Sequence, residues 1–194
     1  MICYFSAGSF ENWRSDAASF PDAIKGTALD GWPGERWIDI RAQATRDIMS
    51  ARLDLAASKG CDGVEPDNVD GYTNRTGFPL TANDQLAYNR WLADQAHARQ
   101  LSVGLKNDVE QVLALVDWFD WALDEQCFQY DECDALAPFV AAGKAVFGVE
   151  YVEEGMTTAV CAAANAAGFS WLLVSYDLDA TVREPCRPDR RTGS

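Results

Sequence analysis

The chain has a single histidine, His97, among 194 residues. An H-E-x-x-H zinc site is therefore impossible, and His97, late on a surface helix, is not placed for catalysis. The six cysteines show neither repeated C-x-x-C pairs nor His-rich spacing, which argues against a Cys/His metal centre. G-x-S-x-G, P-loop and G-x-G-x-x-G signatures are absent too. Positive charge is scarce: 16 Lys and Arg stand against 30 Asp and Glu, a formal charge of -14, and the one basic cluster is "RPDRR" near the end. Binding to a phosphate backbone is disfavoured, and no nucleic-acid partner is expected. No apolar run is long enough to span a bilayer, and "MICYFSAGSF" lacks a basic n-region. Neither a transmembrane helix nor a signal peptide is visible, and no membrane partner is expected.

What is present is apolar-rich and acidic. With 48% hydrophobic residues the chain can bury a substantial core, and one globular domain over 1–194 is expected. The acidic excess either serves solubility alone or draws a cationic partner. An even number of cysteines suggests disulfides and an oxidising compartment, hence a secreted or extracellular protein whose leader lies outside this sequence. Six cysteines allow fifteen connectivities. Spacing favours Cys127 with Cys133 across a short loop and Cys161 with Cys186 as a tether for the tail, leaving Cys3 with Cys61.

Short apolar runs alternate with helix-like stretches. "ICYFSAG" (2–8), "WIDI" (37–40), "GVEP" (63–66), "LSVGLKN" (101–107), "WALDEQ" (121–126), "AVFGVEY" (145–151) and "WLLVSY" (171–176) read as strands. Helices are expected over 42–58, stopped by Gly60, and over 82–99, opened by the capping-box spacing of Thr81 and Asp84 with Tyr88, Trp91 and Leu92 on one face. Further helices are expected over 109–117, 134–142 and 157–167. Strand followed by helix, repeated, predicts parallel strands joined by right-handed crossovers, as a doubly wound sheet or a (β/α)₈ TIM barrel. Polar residues end almost every strand: Ser6, Asp39, Asp67, Asn107, Asp124 with Glu125, Glu150, and Ser175 with Asp177. That distribution favours the barrel, whose strand ends meet at one mouth. Seven strands are one short of eight, so either the first lies upstream of Met1 or the barrel is open on one side.

The most acidic run, "GCDGVEPDNVDGY" (60–72), leaves a buried strand. Alternation sends Glu65 and Asp67 to one side, and Pro66 marks where ladder pairing stops. "WALDEQC" likewise ends in Asp124 and Glu125, before a loop that a disulfide would fix. Two carboxylates from different strand ends suit glycoside hydrolysis: one protonates the leaving oxygen, and the other attacks or activates water. Acids at a barrel mouth also suit Mg²⁺ or Ca²⁺, but "DNVDG" completes only part of a calcium loop, and no metal or other cofactor is expected.

Longer blocks are more specific. "ICYFSAGSFENWR", "GWPGERWIDIR", "KGCDGVEPDNVDGYTNRTGF", "GLKND", "DEQCFQYDEC" and "GKAVFGVEY", over about residues 2–151, resemble the endo-α-1,4-polygalactosaminidase family, glycoside hydrolase family 114. The resemblance implies a (β/α)₈ barrel that cleaves α-1,4-linked galactosamine polymers in microbial exopolysaccharides such as galactosaminogalactan. By motif match it implies Asp67 as nucleophile and Glu125 as general acid/base. A retaining mechanism is expected, with the two carboxyls about 5–5.5 Å apart. The resemblance also implies an opening strand upstream of "CYFSAGS". A free-amine polymer is cationic, so the charge of -14 and the acids Asp39, Glu65, Asp70, Asp124 and Glu150 gain a purpose in seating ammonium groups.

Several residues carry two readings. Glu65 and Asp70 either touch substrate or are structural acids bonded to nearby amides. Asp62 reads as a solvated turn residue. Lys106 pairs with a site carboxylate or serves a structural ion pair. Core packing is the favoured fate of Trp32 and Trp37 over sugar stacking. Tyr4 and Tyr151 are chosen for substrate contact over Tyr72 and Tyr130. A barrel that binds a cationic aminosugar polysaccharide without cleaving it is the alternative function, and a metal-dependent lyase or aldolase is a third. The sequence carries no signature of an oligomer.

Overall fold

Four short strands precede the first helix: β1 (Ile2–Ser6), β2 (Ser9–Glu11), β3 (Lys25–Ala28) and β4 (Glu35–Ile38). β4 returns antiparallel to β2, with Ser9 opposite Trp37 and Glu11 opposite Glu35, and β3 pairs with its other edge. This corrects the expectation that residues 37–40 form a parallel strand. Parallel pairing needs a long crossover, usually an α-helix, and the only helical structure in residues 12–34 is the pair of 3₁₀ turns at 17–19 and 22–24.

The computed structural model describes residues 1–186, in two compact units, Met1–Phe119 and Asp120 onward. The basic "RPDRR" (187–191) lies outside the described residues. In the first unit two helices supply true crossovers. α1 (Gln43–Ser58) stops where Gly60 takes a φ of 74° and leads into β5 (Gly63–Asp67), parallel to β1. α2 (Ala82–His97) opens with the expected capping box of Thr81 and Asp84 and leads into β6 (Ser102–Lys106), parallel to β5. α1 packs on β5 and α2 on β6, enclosing Met49, Leu53, Tyr88 and Leu92 with Val64, Val103 and Leu105. Each such aliphatic side chain contributes about 1.5–3 kcal/mol on burial, which fixes the helix faces more firmly than propensity does. A short α3 (Val112–Leu115) closes this unit.

In the second unit β7 (Trp121–Glu125), α4 (Ala137–Ala141), β8 (Ala145–Tyr151), α5 (Cys161–Ala167) and β9 (Ser170–Val174) repeat strand, helix, strand. β7, β8 and β9 are parallel neighbours, and β10 (Arg183–Pro185) runs antiparallel along β9. α3, α4 and α5 are shorter than their sequence patterns because the residues before them form 3₁₀ turns. Gly148 is required on β8: a Cβ there would lie 2.1 Å from the Trp171 ring and 2.6 Å from the Asp124 carbonyl oxygen. The disulfides are Cys127–Cys133 and Cys161–Cys186, as spacing suggested, and Cys3–Cys61, the pair that elimination left. Among the described residues no helix is long and apolar enough to cross a membrane.

Candidate active site

Asp67 ends β5 opposite Ser6 of β1. The loop after β1 closes on it, since the amides of Ala7 and Gly8 donate to the Asp67 carbonyl at 2.8 and 3.1 Å. Gly8 permits this approach, because a Cβ there would sit 1.7 Å from the Asn68 carbonyl oxygen. The Asp67 carboxylate is half-buried: Oδ2 accepts from the Tyr4 hydroxyl at 3.0 Å, and Oδ1 accepts from the Asn68 amide at 2.8 Å. Asn68, at φ 58°, bonds Ser6 Oγ at 2.9 Å; that hydroxyl is 2.6 Å from Ser9 Oγ, which donates to Glu35 at 2.7 Å. A buried polar chain thus braces the residue next to Asp67.

Glu65 shares the side of β5 that Asp67 occupies, as alternation predicts. Lys106, at the end of β6 and only 3% exposed, joins them: its Nζ is 2.8 Å from Glu65 Oε1 and 3.8 Å from Asp67 Oδ1. The ammonium also lies 6.0 Å from the centre of the Tyr4 ring. Burial and the Asp67 charge push the Tyr4 hydroxyl's pKa upward, so it stays a donor.

Asp70 follows on the loop, with its carboxyl pushed up by burial and then by the charge of Asp67. Beside it lies an acid that sequence reasoning did not single out. Asp108 is buried, its Oδ2 accepts from Asn89 at 2.8 Å, and Oδ1 has no hydrogen-bond partner among the described residues. Burial, aided by the charge of Asp70, raises its pKa to about 8. Asn89 also donates to the Val69 carbonyl at 2.9 Å, so α2 ties down the loop that carries Asp70. Tyr72 donates to Glu110 at 2.8 Å.

Asp39 stands apart from these groups. It follows antiparallel β4 and is paired with Arg41 at 2.8 and 2.9 Å, which holds its carboxyl below the usual range. Trp37 is in the core as expected, whereas Trp32, also expected to pack there, is exposed. Asp62 is exposed on the turn before β5.

In the second unit Glu125 ends β7, and Tyr151 of β8 donates to its Oε2 at 2.9 Å. Gln126, at φ 72°, turns the chain into the loop closed by Cys127–Cys133. Asp124 and Glu150, which the sequence marked as seats for ammonium groups, are enclosed, at 1% and 0% exposure. Glu150 Oε1 accepts from the Phe128 amide at 2.9 Å, so it holds the disulfide loop, and burial pushes its pKa up. Burial, with the charges of Glu132, Glu125 and Glu150, raises the pKa of Asp124 to about 8, while a hydrogen bond from the Cys127 backbone works against that rise. Exposed Tyr130 and Tyr176 lie beyond these strand ends.

Each unit therefore presents a half-buried carboxylate at the end of a parallel strand, held by a tyrosine hydroxyl from the adjacent strand. Such groups can hold or transfer a proton or attack an electrophilic carbon. Among the described residues no group of three or more His, Cys, Asp or Glu side chains is arranged to hold a metal ion.

A family model for glycoside-hydrolase family GH114 matches residues 1–189. The crystal structure of Aspergillus fumigatus Ega3 in complex with galactosamine is 44% identical, with a TM-score of 0.90 over 95% of this chain and 78% of that one. The glycoside hydrolase domain of PelA from Pseudomonas aeruginosa matches in fold, with a TM-score of 0.67 at 16% identity over 92% of this chain and 79% of that one. These likenesses bear out the α/β barrel class. No curated protein matches the sequence.

Proposed function

The chain belongs to glycoside-hydrolase family GH114, and from that premise we propose that it is an endo-α-1,4-polygalactosaminidase that hydrolyses α-1,4-linked galactosamine polymers. The observation that carries this reading is the 44% identity over 95% of the chain with Ega3, solved with galactosamine bound. Residues 1–194 serve as one catalytic domain, the family match running through both units. The three disulfides favour a secreted or extracellular setting.

Asp67 is the nucleophile and Glu125 the general acid/base. Glu125 protonates the glycosidic oxygen as Asp67 attacks the anomeric carbon, and the leaving chain departs with that proton. Glu125 then takes a proton from the water that hydrolyses the glycosyl ester, and the anomeric configuration is retained. Tyr4 and Lys106 orient Asp67, and Tyr151 orients Glu125. Glu65 and Asp70 contribute negative charge toward the ammonium groups of the polymer, to which the formal charge of -14 adds attraction at longer range. Asp124 and Glu150, being enclosed, support Glu125 and its loop, and Asp39 serves through its pair with Arg41.

Incubation with de-N-acetylated α-1,4-galactosamine polymer tests the reading. New reducing ends are expected. Binding of the polymer with no new reducing ends would overturn the hydrolase in favour of a binding protein.

A further inference from the structure

The rings of Tyr151 and Tyr176 are stacked, their centres 4.5 Å apart and their planes 29° apart. Tyr151 is the buried member and holds Glu125, whereas Tyr176, just past β9, is 46% exposed. One face of the outer ring covers Tyr151, and its exposure leaves the remainder to solvent. The ring is also clamped in place. Its amide nitrogen lies 3.3 Å from each carboxylate oxygen of Glu153, and its hydroxyl donates to Glu154 Oε1. Gln129 Nε2 donates to Glu154 Oε2 at 3.2 Å, and Gln126 Nε2 donates to Gln129 Oε1 at 2.7 Å. Loops following β7, β8 and β9 thus converge on one half-exposed aromatic residue.

An exposed ring needs no such clamp for packing alone. Fixing it removes rotamer freedom in advance, which lowers the entropic cost of receiving a ligand on its open face. A carboxylate at the ring's edge has a matching property: among the described residues the donors to Glu154 are the neutral Gln129 amide and Tyr176 hydroxyl, which leave its negative charge in place. An apolar sugar face beside an ammonium group fits a flat ring beside a carboxylate.

We infer that Tyr176 and Glu154 form an aminosugar subsite adjoining Glu125, in which the ring takes the apolar face of a galactosamine unit and Glu154 takes its ammonium group. The inference rests on the substrate reading above and extends it. It assigns discrimination between free and N-acetylated units to a named carboxylate, since acetylation removes the charge that Glu154 pairs with. It also makes Tyr176 a specificity-determining residue, bound to substrate directly rather than acting through Tyr151.

The test compares Tyr176→Ala, Tyr176→Phe and Glu154→Gln with the wild type, by reducing-end kinetics on the polymer and by calorimetric titration with galactosamine oligomers. Tyr176→Ala is expected to raise KM and Kd about tenfold with kcat little changed, and Tyr176→Phe, which keeps the ring but loses the hydroxyl bond to Glu154, to raise both by less. Glu154→Gln is expected to weaken binding of free-amine oligomers severalfold and leave N-acetylated oligomers unaffected. Unchanged KM and Kd in Tyr176→Ala would overturn the inference, and so would a loss of kcat alone, which would reduce the ring to a support for Tyr151. Glu154 is exposed, so Glu154→Gln decides the matter where Tyr176→Ala fails to fold. Absence of hydrolysis by the wild type would overturn the functional reading instead, with the Kd ratios still deciding the subsite.

Discussion

Tyr151 of β8 donates its hydroxyl to Glu125 of β7 at 2.9 Å, and the first unit contains the counterpart, Tyr4 of β1 donating to Asp67 of β5 at 3.0 Å. In both cases the tyrosine comes from the parallel strand beside the acid, so sheet pairing itself aims the donor. A hydrogen bond to a charged group contributes about 1.5–3 kcal/mol. Tyr151→Phe is expected to lower kcat roughly tenfold to a hundredfold, by the same energies, while KM moves little. Steady-state kinetics on the polymer would read this, and an unchanged kcat would remove Tyr151 from the mechanism.

Lys106 is enclosed between two carboxylates, so its charge cannot be deleted cleanly. Lys106→Met leaves Glu65 without its nearest cation and is expected to cost about 1–3 kcal/mol in urea denaturation, with activity lost. Adding Glu65→Gln removes the carboxylate nearest the lost ammonium, so part of the stability is expected to return while activity does not. A double variant no more stable than Lys106→Met would contradict the pairing.

Asp124 makes stability depend on pH with a definite sign. Its carboxyl titrates at about 8 in the folded chain against an ordinary 3.8, because burial and neighbouring acids disfavour the charged form. The folded state keeps a proton that the unfolded chain releases, so this group's contribution is complete below about pH 4 and is lost as pH rises toward 8. Asp108 acts in the same direction in the first unit. Asp124→Asn is expected to flatten the decline, by at most about 1.4 kcal/mol per pH unit for one proton. Melting temperatures across that range would show it, and equal slopes in variant and wild type would refute it.

The Cys127–Cys133 bridge closes a short loop two residues beyond Glu125. Replacing both cysteines by serine is expected to cost about 2 kcal/mol of stability on loop entropy and to lower kcat as the turn at Gln126 loosens. Full activity in that variant would detach the loop from the placement of Glu125.

Retention is the expected stereochemistry. Proton NMR of a fresh digest should show the α anomer before mutarotation; the β anomer appearing first would replace double displacement by direct attack of water.

Much of this arrangement was legible because local rules were obeyed. Thr81 with Asp84, Gly60 and the cysteine spacings each predicted what formed. "WIDI" misled because its alternation is the same in a parallel and an antiparallel strand; only the missing helix upstream distinguishes them. The sequence reading turns both Asp124 and Glu125 toward substrate, but adjacent strand residues point to opposite faces, and the enclosed partner is Asp124. Asp108 was hidden by backbone conformation. Asn107 and Asp108 take φ values of 49° and 47°, and Asp108's carboxylate meets Asn89 on α2. Consecutive Asn and Asp, residue types that tolerate this conformation, were the available signal. Tyr176 carries no local sequence signal, because its place is set by stacking on Tyr151 of β8.

The most direct test is reducing-end release from de-N-acetylated α-1,4-galactosamine polymer by the wild type, Asp67→Asn and Glu125→Gln, each checked for native melting behaviour. Hydrolysis by the wild type and its loss in both folded variants is the predicted result. Wild-type rates in either variant would contradict the assignment of these two carboxylates.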